Sequence, residues 1–264
     1  MAIVIKRYSL SDYLLHIFTA LLYLFLYIPI IVLIIFSFNK AATSYQWEGF
    51  STTWYEQLFQ STEVWHALRN SFVVASTSVF LSVLMAVLLV FYGSTLSRWF
   101  FLFYGSLAIP EVVLAVGLLG FFSLFSFSLG FVTLITGHTL LGLGYAIPII
   151  YARFAELERH LMEASLDLGA TRTQTFFRIM LPLLSPAILA AALLVFVLSF
   201  DDFVIAFFTA GASAQTLPLY IFSVVRAGES LMINALSTLL LCFGSILMLL
   251  IALLRGRKGL FLGT

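Results

Sequence analysis

The chain has 264 residues, of which 62% are hydrophobic and 9% charged, with a net charge of +1. Soluble domains run nearer half apolar and a quarter charged, so this composition excludes a soluble enzyme and a disordered chain. Its single cysteine, Cys242, excludes an internal disulfide framework, and the near-zero charge excludes a nucleic-acid-binding footprint. The reading that remains is an all-α polytopic membrane protein. Its apolar runs are continuous, whereas a β-barrel would alternate.

A spanning helix needs about 20 mostly apolar residues, and six runs qualify: 13–38, 71–92, 100–125, 131–152, 187–210 and 232–254. The apolar part of the first is longer than a signal-peptide core, and Ser37, Phe38, Asn39 and Lys40 come after it without a small-residue cleavage site, so it reads as a membrane helix. With the N-terminus inside, ten Lys and Arg residues fall in inside segments, against Lys40, Arg69 and Arg226 outside. The positive-inside rule then places both termini in the cytoplasm. The chain forms a single transmembrane domain, residues 1–264, with two long connections. The outer one, 39–70, carries Trp47, Phe50, Trp54, Tyr55, Leu58, Phe59 and Trp65 among polar residues. It reads as a short amphipathic helix at the interface, either an aromatic anchor or a docking element.

The cytoplasmic connection, 153–186, holds eight of the chain's 25 formal charges. Leu157, Leu161, Ala164 and Leu168 recur at helical spacing. Gly169 suits a helix stop, and Thr171 with Gln174 stands in capping-box register for a second helix. Pro182 and Pro186 are expected to break or redirect that helix before the fifth span. The product is a helix–glycine–helix elbow, suited to a cleft on a cytoplasmic partner.

The same stretch resembles the EAA motif of ABC importer permeases: Glu-Ala-Ala, three residues, Gly, nine residues, Ile-x-Leu-Pro. Here the positions are Glu163, Ala164 and Ser165, then Gly169, then Ile179, Leu181 and Pro182, with Ser165 in place of the second alanine. Strings along the chain are similar to those of the spermidine/putrescine permeases, particularly the second (C-type) subunit. They are Tyr27-Ile-Pro-Ile-Ile, the string from Trp47 to Tyr55, Ser199-Phe-Asp-Asp-Phe-Val-Ile, Thr216-Leu-Pro-Leu-Tyr-Ile-Phe-Ser and Asn234-Ala-Leu-Ser-Thr. The resemblance implies a type I ABC importer permease fold in the bacterial inner membrane. It implies a second homologous permease, two cytoplasmic ATPases that use ATP and magnesium, and an extracytoplasmic solute-binding protein. Glu163, Ala164, Ser165, Asp167, Gly169, Ala170 and Pro182 would then form the ATPase-coupling element.

Carboxylates at membrane depth are costly and usually mark function. Three lie within the predicted spans, Glu111, Asp201 and Asp202, with no Lys or Arg in those spans to neutralise them. Pro110 before Glu111 fits the first turn of a resumed helix, whose positive end would favour the acid. Asp201 and Asp202 cannot both face one point on an unbroken helix, since neighbours point about 100° apart. A polyamine would suit such acids, with aromatic faces for its charges and methylenes; Tyr104, Tyr145 and Tyr220 are candidates, Tyr220 the chosen pathway residue. The four histidines and one cysteine show no metal-site spacing, and His138, near Gly137, Gly142 and Gly144, reads as a hydrogen-bonding packing residue. No GxxxxGK[ST] loop is present, so the chain is expected to bind no cofactor and to hydrolyse no ATP itself. The open alternatives are another cargo (ferric iron, thiamine or another small solute), a proton-coupled secondary transporter, or a non-transporting anchor or channel subunit.

Overall fold

The computed structural model describes residues 10–41, 46–93, 109–157, 159–228 and 230–261. Its helices in chain order are α1 (Leu10–Phe36), α2 (Thr53–Gln60), α3 (Thr62–Tyr92), α4 (Glu111–Leu124), α5 (Phe131–Glu156), α6 (Arg159–Asp167) and α7 (Arg172–Thr175). After a π-turn (Phe176–Met180) come α8 (Leu181–Asp201), α9 (Val204–Thr209), α10 (Leu217–Ala227) and α11 (Ser230–Phe261). Among the described residues four stretches are long and apolar enough to cross a membrane: Tyr13–Phe36, Thr62–Tyr92, Phe131–Glu156 and Arg172–Asp201. The helices form two compact units, residues 1–61 with 223–264 and residues 62–222.

In the first unit α11 packs on α1 and α2. Most of α1 is exposed and apolar, Phe25 being 76% accessible, a surface compatible only with lipid or another apolar chain. The connection between α1 and α2 is ordered by one buried amide. Asn39 donates from Nδ2 to the Gln46 carbonyl (2.6 Å) and accepts the Glu48 N–H on Oδ1 (2.9 Å), while its own carbonyl takes the Trp54 indole N–H (2.9 Å). The Ser37 and Tyr55 hydroxyls lie 2.7 Å apart, and Phe38 packs on Phe50 and Tyr55. Trp54 and Tyr55 are thus anchors within this connection. The expected amphipathic helix is present as α2, with Leu58 buried.

The second unit is built on α3, α5 and α8, which pack against one another around Ala86, Val90, Ala146, Ile147, Ile150, Ala191 and Val195. Close approach comes from glycine. A methyl on Gly142 would collide with Ser82 Oγ and lie 2.7 Å from a Val195 methyl. Hydroxyls then lace the helices to neighbouring carbonyls, as lipid-facing bundles require: Ser82 donates to Thr139 O (3.0 Å), and Thr133 to Thr209 O (2.8 Å).

Three sequence expectations change. The helix of the second span begins at Thr62, nine residues earlier than predicted, because its polar first turns find partners: Asn70 Nδ2 reaches the Gln215 carbonyl (2.9 Å), and the Ser71 hydroxyl accepts the Leu217 N–H (2.8 Å). Pro182 and Pro186 do not break the chain. The preceding π-turn, closed by Leu181 N–H on Phe176 O, re-registers the backbone before Pro182. Pro186 has no N–H for the Pro182 carbonyl, and the Ser185 hydroxyl supplies that bond at 2.8 Å. A continuous helical rod therefore runs from Arg172 to Asp201. The predicted fifth span, 187–210, is instead interrupted: Asp202 is extended (φ −69°, ψ 124°), and a separate short helix begins beyond it. Residues 100–108 of the predicted third span lie outside the described residues, and the helical part beyond them is the 14-residue α4.

Gly142→Val is expected to cost about 1–3 kcal/mol by overpacking α3 and α8, whereas Gly117→Ala, with nothing within 4 Å of the added carbon, should be neutral. Thermal unfolding of the detergent-solubilised protein reads the difference.

Candidate functional site: a carboxylate cluster at a broken helix

Where α8 stops, the backbone N–H groups that open α9 need acceptors, and Ile205 and Ala206 are fully buried. Asp202 provides them. Its Oδ1 accepts the Ile205 N–H (3.3 Å) and its Oδ2 the Ala206 N–H (3.0 Å). The side chain is buried, and on its far side lies His138 of α5, with Nε2 3.3 Å from Oδ2. The other ring nitrogen, Nδ1, is 2.7 Å from the Ser199 hydroxyl in the last turn of α8. Gly137 permits this approach: a methyl there would sit 2.7 Å from Ile205 Cγ2 of α9.

Glu111 is the first residue of α4, directly after Pro110 as expected, and is exposed. Helices α4 and α9 pack together, which brings Glu111 beside Asp202. Two acids thus meet where two helices start, and each helix start favours negative charge. Asp201, the last residue of α8, is exposed. The interruption lets the aspartates part company, one inward and one outward.

Tyr220 is buried in α10, and Tyr145 packs against the core; Tyr104 lies outside the described residues. The rings gathered near the break are phenylalanines instead. Phe203, Phe207 and Phe222 form one group, with centroids 4.8–6.1 Å apart, and Phe72, Phe196 and Phe200 form another at 5.0–6.0 Å. Sequence reading missed these and Ser199. The available signal was the density of polar residues in Ser199-Phe-Asp-Asp-Phe within an apolar run. Among the described residues no group of three or more His, Cys, Asp or Glu could hold a metal ion.

The elbow lies at the other end of the rod. Helix α6 ends in a Schellman turn: Ala170 N–H bonds Ser165 O (3.0 Å) and Gly169 N–H bonds Leu166 O (2.9 Å). Gly169 takes φ +85°, the left-handed region. Thr171 and Gln174 form the reciprocal cap anticipated from their spacing, with bonds of 3.3 and 2.9 Å. Ser165 is buried and its hydroxyl meets that of Thr175 (2.8 Å), tying α6 to α7. Glu163, Ala164, Asp167 and Gly169 are exposed, as is Pro182, while Ala170 is half-buried. Leu168 stands 89% accessible at the tip. The base is fixed by Phe176, packed on Phe91 and Tyr92 of α3.

Residues 78–258 match the family described as binding-protein-dependent transport system inner membrane component. The chain belongs to this family. It is 34% identical over 243 residues to the spermidine/putrescine transport system permease protein PotC of Haemophilus influenzae, covering 88% of this chain and 93% of that protein. It is 37% identical over 229 residues to the putrescine transport system permease protein PotI of Escherichia coli K12, covering 82% of each. A chain from a bacterial ABC transporter involved in the import of the acidic polysaccharide alginate shares the fold, with a TM-score of 0.70 over 96% of this chain and 99% of that one, at 16% identity. The protein is thus a multi-pass inner-membrane permease component rather than an enzyme.

Asp202→Ala should strand the Ile205 and Ala206 N–H groups and cost about 1–3 kcal/mol. Asp201→Ala, exposed and outside this network, should stay within about 0.5 kcal/mol. Thermal unfolding in detergent separates the two.

Proposed function

We propose that this chain forms one half of the membrane pathway of an ATP-driven importer of polyamines, spermidine or putrescine. The observation that carries the reading is the carboxylate pair Glu111 and Asp202 at the break between α8 and α9, with Asp201 exposed beside it. Glu111 and Asp202 stand close enough to act together on one cation. An ammonium group of the substrate would suit them. Asp201 gives a second, exposed anchor, and the neighbouring phenylalanine rings suit both charge and methylene. Relatives that are 34–37% identical carry spermidine/putrescine or putrescine permease names, which supports this cargo over the alternatives.

In this reading the chain spans the membrane six times with both termini cytoplasmic. It pairs with a second permease, receives substrate from a solute-binding protein outside, and is driven by two cytoplasmic ATPases that use ATP and magnesium. The exposed elbow residues Glu163, Ala164, Asp167, Gly169 and Leu168 dock in an ATPase cleft, with Ser165 holding the elbow's shape and Ala170 and Pro182 flanking it. Closure of the ATPases moves the elbow. The unbroken helix from Arg172 carries that motion to Asp201, and the pathway alternates between outward-facing and inward-facing states. Tyr220, buried in α10, stands behind the pathway in this arrangement.

Reconstitution with its partners tests the reading: putrescine or spermidine, delivered by the binding protein, should stimulate ATP hydrolysis. Asp201→Asn and Glu111→Gln should each lower polyamine uptake about tenfold, on the order of 1.4 kcal/mol, with assembly intact; normal uptake in both and in the double variant rejects the cargo site. Gly169→Leu must place a branched side chain at φ +85° on the docking face. It should abolish substrate-stimulated ATPase activity while the permease still assembles, and unchanged stimulation rejects the coupling assignment.

A further inference from the structure

We infer that His138 is a positioning residue of the transport pathway: its ring clamps both sides of the α8–α9 break and so holds Asp202 inward and Asp201 outward. This rests on the proposed function above. The imidazole is 1% exposed and lies on α5, outside both helices it touches. Nδ1 holds Ser199, the third residue before the break position Asp202, and Nε2 faces the carboxyl that caps the helix beyond it. Three sides of that carboxyl are thereby accounted for: His138 faces it from α5, Glu111 approaches from α4, and the Ile205 and Ala206 N–H groups of α9 bind it.

The chemistry of a neutral imidazole fixes how the clamp is wired. It has one N–H and one lone pair. With the proton on Nδ1, the Nε2 lone pair would point at a carboxyl oxygen 3.3 Å away. With the proton on Nε2, that N–H faces Asp202 and Nδ1 accepts from the Ser199 hydroxyl, so opposite polarities meet at both ends. The Nε2–Oδ2 contact is not aligned as a hydrogen bond, and among the described residues Nε2 has no hydrogen-bond partner. It is a loose hold on a carboxyl already engaged by two backbone N–H groups. Gly137 adds the clearance, since a methyl there would sit 2.7 Å from the Ile205 side chain of α9. The ring therefore selects which aspartate is offered to the pathway.

The test reads the orientation of position 201 directly. In the complete importer carrying Cys242→Ala and Asp201→Cys, the thiol introduced at position 201 is modified in membrane vesicles by a water-soluble cationic methanethiosulfonate, and the rate is measured. Adding His138→Leu should slow modification threefold or more, because the freed break lets position 201 turn inward. Ser199→Ala, a smaller change that removes one end of the clamp, should slow it in the same direction and carries the test if His138→Leu does not assemble. His138→Gln, whose amide offers one donor and one acceptor, should restore the rate to within twofold. A change below threefold, or a rise, in both His138→Leu and Ser199→Ala overturns the clamp and leaves the proposed function standing. A slow His138→Gln variant shows that only ring volume matters, and also overturns it. An introduced thiol that does not react even with His138 intact removes position 201 from the water-filled pathway, and both readings fall together.

Discussion

A helix that stops within a packed protein interior leaves buried N–H groups to be satisfied, and the arrangement of this protein's polar core follows from meeting that demand. Asp202 satisfies two of them with one carboxyl group. The charge that makes this possible would itself be costly in hydrocarbon. What favours it is the helix start, whose two N–H groups bind the carboxyl, with the buried His138 ring beside it. A short α9 is thereby set apart from α8, and the exposed Asp201 becomes available at its end.

Much of this was legible in the sequence where local rules act alone. Gly169, Thr171 and Gln174 state their turn and cap by spacing, because a left-handed residue and a reciprocal side-chain cap depend on neighbours within six positions. Glu111 behind Pro110 announced a helix start for the same reason. Gly137 and Gly142 were readable as close-packing positions, although the helices they admit were not.

The hidden features depend on partners distant in the chain. Nothing in Phe200-Asp201-Asp202-Phe203 is a helix breaker, and a hydropathy reading runs straight through it. The break exists because residue 202 finds acceptor work and residue 138, over sixty positions away, finds both Ser199 and Asp202. The prolines misled in the opposite sense. Pro182 and Pro186 are breakers by local rule, yet a π-turn re-registers the chain ahead of one and the Ser185 hydroxyl replaces the bond lost at the other. The outer end of α3 was drawn too short because its polar turns look unfit for a membrane until Gln215 and Leu217 are seen against them.

The continuity of the helix between Arg172 and Asp201 has a mechanical consequence. At 1.5 Å per residue, 30 helical residues make an arm of about 45 Å. A stiff arm of that length is a lever: a tilt of about 5° at its elbow end moves the far end by about 4 Å, comparable to one ammonium diameter with its hydrogen bonds. Rearrangements at the membrane surface too small to unpack Phe176 from Phe91 and Tyr92 are therefore large at Asp201. The two repaired prolines keep this arm from folding at its base.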